Sequence, residues 1–217
     1  MNWYLIPLTL LAIFLVLRYF LGMKKNRWFA SVIAQETERV LHPVDTTYVN
    51  IGGAIGYHAT YSLKPPFKKA EGTFTFLPRQ SALYLPFALL LGAQDRYYLT
   101  IHSELPLIGE GHIIEKAYYR KVAATIRGIE QFNQEEQERI IDTKGRKRSY
   151  ILLWDRPAVY EKLSLLWNDL DEMSLLKHLC VYPENRHFYL FIKPEHGKIE
   201  KLLRSFWTYL PQFQSKS

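Results

Sequence analysis

A single cysteine in 217 residues excludes an intrachain disulfide and any metal site built on several thiolates. Cys180 itself is expected as a small, apolar residue buried on a strand. No N-x-[ST] sequon occurs, in keeping with a domain on the cytosolic side. Neither a P-loop, nor H-E-x-x-H, nor G-x-S-x-G is present, so three common chemistries lack their signatures. Gly52-Gly53-x-x-Gly56 lacks the G-x-G-x-x-G spacing and opens a strand instead of a helix, which disfavours a phosphate cradle. Internal repeats and low-complexity segments are also missing, and no cofactor is predicted.

What is present begins with Trp3 to Leu21, an apolar run interrupted only by Arg18. At about 1.5 Å per residue it is just long enough to cross the ~30 Å hydrocarbon core of a bilayer. Arg18 lies near the end of the run, where its stem can stay buried while the guanidinium reaches the headgroups beside Lys24, Lys25 and Arg27. Trp3, Tyr4, Tyr19 and Trp28 are placed as interfacial rings. A cleaved signal would carry its basic residues before the apolar core and an A-x-A-like site after it, and neither is found. The excess of cations behind the span predicts a single-pass protein of the cell membrane, N-terminus outside and C-terminal domain in the cytoplasm.

The remainder has a globular composition, 48% hydrophobic and 23% charged over the chain, with a net charge of +7. Such a charge suits an anionic membrane face or a nucleic acid, and the anchor favours the membrane. The organisation expected is an anchor (1–23), a juxtamembrane amphipathic helix (24–43), a β-rich part (44–128) and an α+β part (129–217). From Thr46 the hydrophobic period becomes two, through strands around the Gly52-Gly53 turn, at 72–77 and at 97–101, which predicts an antiparallel β-meander. His112 to Ile126 is expected as a long or bent strand, and 129–141 as a surface helix. The β-α-β-β-α order from 149 to 210 suggests a ferredoxin-like C-terminal part within an α+β fold. Ser81 to Ala93, apolar throughout, is either a core segment or a stretch dipping into the membrane surface between Arg79 and Arg96.

Two clusters carry chemistry. His102, Glu104, Glu110 and His112, with Glu115 nearby, flank an expected hairpin loop at 105–109; if the histidines stand opposite each other they could bind zinc or serve acid–base catalysis. In the metal reading the ligands are His102, His112 and Glu110. Lys144, Arg146, Lys147 and Arg148 form a basic run suited to a solvated turn or, with Arg18, Lys24, Lys25 and Arg27, to anionic lipid. No aromatic residue alternates within that run, so nucleic acid is disfavoured. The function expected is a membrane-anchored, non-catalytic module binding a protein partner, membrane-bound or cytosolic, or lipid headgroups. The alternative is a membrane-associated, metal-dependent hydrolase using the His/Glu cluster. No sequence signal fixes an oligomeric state.

Overall fold

The computed structural model describes residues 3–142 and 145–215. Its first element, α1 (Leu5–Leu41), is one helix of 37 residues, about 55 Å long at 1.5 Å per residue. Anchor and juxtamembrane segment are therefore continuous. Nearly all its residues up to Leu21 are exposed on every side, whereas beyond Gly22 one face sinks into the fold through Ala30, Ile33, Ala34, Val40 and Leu41. The first half is long and apolar enough to span a membrane. The helix stops at His42, which turns left-handed (φ 45°) and donates its backbone N–H to the Glu38 carbonyl, while Pro43 prevents continuation.

The rest is an α+β fold built on one nine-stranded sheet. Its strands are β1 (Asp45–Asn50), β2 (Gly56–Ser62), β3 (Phe67–Thr75), β4 (Arg96–Ser103), β5 (Gly111–Glu115), β6 (Asn133–Ile140), β7 (Lys147–Trp154), β8 (Leu176–Tyr182) and β9 (His187–Ile192). They lie in the order β1-β2-β3-β4-β9-β8-β5-β7-β6, and every adjacent pair is antiparallel. The period-two stretches thus form the meander β1 to β4. The C-terminal hairpin β8-β9 then docks beside β4 and holds β5 on its other edge.

Three helices cover one face: α1, α4 (Pro157–Asp169) and α5 (Ile199–Tyr209). Their apolar stripes, Ile33 and Val40, Val159, Leu163 and Leu166, Leu202, Leu203 and Phe206, pack with Tyr61, Leu99, Ile113, Leu152, Phe188 and Leu190 into a single core. A buried polar joint fixes α1 to the others. Glu36, 2% exposed, accepts the backbone N–H groups of Gly197 (2.8 Å) and Glu200 (3.1 Å) at the start of α5. Thr37 Oγ1 bonds the Tyr97 hydroxyl at 2.9 Å. On the opposite face, among the described residues, α3 (Lys116–Val122) and a short 3-10 turn (Ile129–Gln131) pack over Ile114, Ile151 and Leu153.

Three sequence expectations are corrected. After Glu115 the chain turns into α3 instead of continuing as a strand, because Tyr118, Tyr119 and Val122 recur at helical spacing and meet the Ile114–Ile151–Leu153 patch. Residues 133–140, expected within a helix, form the edge strand β6, where tertiary pairing overrides helix propensity. Its charges alternate between faces: Glu135 accepts from Tyr160, Glu136 from Lys116 and Glu138 from Lys147, while Arg139 donates to the Trp167 carbonyl and stands over that indole ring. A charged edge of this kind also resists pairing with a second sheet. Finally, 81–93 is no core segment. It contains the short helix α2 (Tyr84–Leu90), of which only Ala88 is buried.

Candidate functional site

The sheet order decides which of the titratable residues meet. His102 on β4 and His112 on β5 are separated by β9 and β8, three strand spacings or about 14 Å. Residues 105–109 therefore do not close a hairpin, and the two histidines do not stand opposite each other. His102 is in register with His187, its ring 5.8 Å from that imidazole, and its Nε2 lies 2.8 Å from Glu71 Oε2. Glu104 is exposed at the end of β4, its carbonyl accepting from Arg186. His58 bonds Thr73 at 3.1 Å and stays with its own strands. Of the four residues, only Glu110 and His112 come together, with Glu110 Oε1 3.1 Å from His112 Nε2.

The new partners of His112 come from β8, which runs beside β5. His112 is in register with Cys180, and alternation puts His178 on the same face. His112 Nδ1 lies 3.0 Å from His178 Nε2, with the two rings stacked at 5.3 Å and 24°. Cys180 Sγ is 3.8 Å from His112 Nε2. All three residues are buried, and each offers a ligating atom within 4.8 Å of those of the other two. The Glu110 carboxylate accepts, so His112 Nε2 carries the proton of that bond and its Nδ1 accepts from His178 Nε2–H. Desolvation, reinforced by His112, pushes the His178 pKa down to about 3, which keeps the imidazole neutral. Burial raises the Cys180 thiol well above its ordinary value. Tyr182 closes the group edge-on, 5.7 Å from the His112 ring, and Phe132 does so from the other side at the same distance. The i, i+2 spacing of His178 and Cys180 on one strand was the readable signal. What sequence lacks is the β5–β8 pairing that brings His112 to them.

A second surface lies where α1 enters the domain. Gly22 packs so tightly on the segment before α2 that a β-carbon there would collide with the backbone of Arg79 and Gln80. Asn26 Nδ2 donates to the Leu77 carbonyl (2.9 Å), and Arg79 reaches both Asn26 Oδ1 (2.9 Å) and the Asp95 carboxylate, forming a part-buried clamp. The clamp fixes the segment leading into α2 against α1 at Gly22, and one and two turns back on the same face of α1 Arg18 and Leu15 are only partly exposed. Around α2, Leu83, Leu90 and Leu91 are 70%, 84% and 83% exposed, and Tyr84, Phe87 and Leu89 are exposed too. Lys24, Lys25 and Arg27 are exposed one turn further along α1.

The second basic run is differently placed. Lys144 lies outside the described residues. Arg146 pairs with Asp142, Lys147 with Glu138 at 3.4 Å, and Arg148 with Glu115 at 3.1 Å while donating to the Ser174 carbonyl. These three cations are engaged within the fold's own turn and edge.

No protein-family model matches the chain, and no curated protein matches its sequence.

Proposed function

We propose that this chain is a single-pass membrane protein whose folded domain is a binding module held against the bilayer at two points, the α1 span and the apolar α2. The carrying observation is the clamp at Gly22, which fixes the chain a few residues before the exposed leucines of α2 to the place where α1 passes from apolar all round to one-sided. An isolated exposed leucine is ordinary, but six large apolar side chains around one short helix mark an interaction surface. Lys24, Lys25 and Arg27 beside it supply the charge that anionic headgroups attract, each worth about 1 kcal/mol near such a surface. Retention of the span, against cleavage as a signal, is supported by the continuity of α1, since the turns after Leu21 belong to the core. The basic residues behind the span favour a cytoplasmic domain.

Two attachment points would fix the domain's orientation, leaving the other sheet face for a protein partner. The β7-α4-β8 succession supports the ferredoxin-like reading of the C-terminal part, with β7 and β8 parallel and β5 between them; α3, on the face away from α4, departs from it.

The test uses the full chain in lipid vesicles, with a nitroxide label on Leu90→Cys and a second on Ser62→Cys. The α2 label is expected in the hydrocarbon, protected from aqueous relaxants, and the Ser62 label in water. An α2 label as water-accessible as Ser62 defeats the two-point reading. A C-terminus reached by impermeant reagents in intact cells defeats the orientation.

A further inference from the structure

We propose that His112, His178 and Cys180 bind a transition-metal ion of the zinc class, through one ring nitrogen of each histidine and the Cys180 thiolate, with Glu110 as the acceptor that orients His112. The inference does not depend on how the chain meets a membrane.

The geometry is what such an ion requires. Nitrogens about 2.0–2.1 Å and sulfur about 2.3 Å from a tetrahedral ion stand roughly 3.3–3.6 Å from one another. His112 Nδ1 and His178 Nε2, 3.0 Å apart, need to separate by only a few tenths of an ångström; one ligating atom from each of the three residues lies within 4.8 Å of the other two, and the Cys180 sulfur, 3.8 Å from His112 Nε2, has to turn toward the Nδ1 edge to complete the set. Both strands are held by ladders on each side, so the three side chains are presented by rigid backbone. Glu110 Oε1 at the outer nitrogen of His112 is the second-shell carboxylate that fixes tautomer and ring orientation in histidine metal sites. Two imidazoles and one sulfur select a borderline-soft ion over magnesium or calcium, which prefer oxygen.

The protons balance simply. On binding, the Cys180 thiol loses its proton to solvent, and the proton between the imidazoles moves to the ring nitrogen of His178 that does not face the ion. Three protein ligands leave a fourth position for water or an anion.

The full chain, purified in detergent, would be analysed for bound metal and titrated with zinc and with cobalt(II). One ion per chain is expected, with a thiolate-to-cobalt charge-transfer band and a rise in the midpoint of thermal unfolding. Cys180→Ser is expected to abolish the band and His178→Ala the stoichiometric binding. Glu110→Gln should weaken affinity by about 10–100-fold, and His102→Ala should change nothing. Wild-type protein that gains neither band nor thermal shift with micromolar zinc or cobalt overturns the proposal. So does a charge-transfer band that survives in Cys180→Ser. Because the cobalt spectrum is read on the unaltered chain, a variant that fails to fold leaves the proposal open to refutation.

Discussion

The two faces of the sheet are made by the same strands and solve different problems. On β4, Tyr97, Leu99 and Ile101 point to the helix-covered face and are fully buried, whereas Tyr98, Thr100 and His102 point the other way and are half exposed. The covered face is apolar and joined by close packing. The open face carries rings and titratable groups in contact with one another: Tyr98 stacks on Phe191 at 4.8 Å, Tyr118 meets Phe191 edge-on at 5.1 Å, and His187 lies 5.0 Å from Tyr182. Stability is concentrated on the first face, and recognition chemistry is available on the second. The His112–His178–Cys180 group sits on this second face, near the α3 cover, which explains how three polar side chains are buried on it.

The strongest way to break this comparison is at the boundary of the covered face. Glu115, its side chain 9% exposed, accepts from Lys177 at 2.5 Å and pairs with Arg148 at 3.1 Å. Glu115→Ala would leave the half-buried Lys177 cation without its partner, a change expected to cost about 3–5 kcal/mol. Burial already lowers the Lys177 pKa against the pull of Glu115. Next comes a matched pair on one strand. Leu99→Ala should destabilise the domain by about 2–5 kcal/mol through the cavity left in the helix-covered core, and Thr100→Ala, its neighbour on the open face, by less than about 0.5 kcal/mol. Denaturant midpoints of the full chain in detergent measure both, and equal losses would show that the faces are not energetically distinct. Thr37→Val, which strands the buried Tyr97 hydroxyl, is expected to cost about 1–3 kcal/mol.

Sequence carried the covered face better than the open one. Period-two runs mark β1 to β4, because burial on one side writes itself into hydrophobic alternation, and the β-α-β-β-α order marks β7, α4, β8, β9 and α5. β6 carries a helical signal, since its glutamates and glutamines suit a helix in isolation, and the ladder with β7 and cations from elsewhere make it a strand. The site was legible in its residue types but not in its grouping. His112 and Glu110 stand near each other in sequence and in space, while His178 and Cys180 reach them across 66 and 68 residues through a pairing no local pattern encodes. His102, close in sequence, is carried away by two intervening strands.

The smallest expected effect is the most pointed check on that separation. Glu71 holds Lys69 Nζ at 2.9 Å and His102 Nε2 at 2.8 Å on the open face, and these bonds, that from Lys69 foremost, keep its carboxyl below the ordinary range. A carboxyl with a folded pKa below its unfolded one contributes stability above the unfolded pKa. That contribution disappears as pH falls from about 4.5 through the folded value. With both partners near the surface it amounts to less than about 1 kcal/mol. Glu71→Gln should therefore lower stability at neutral pH by less than about 1 kcal/mol, match the parent below the folded pKa, and so flatten the acid limb of the stability profile. Metal binding by this variant and by His102→Ala should match that of the parent chain. If either substitution lowers zinc or cobalt occupancy, then the Glu71–His102 pair and the Glu110–His112 pair act as one site across β9 and β8, and the division between them drawn from the strand order is wrong.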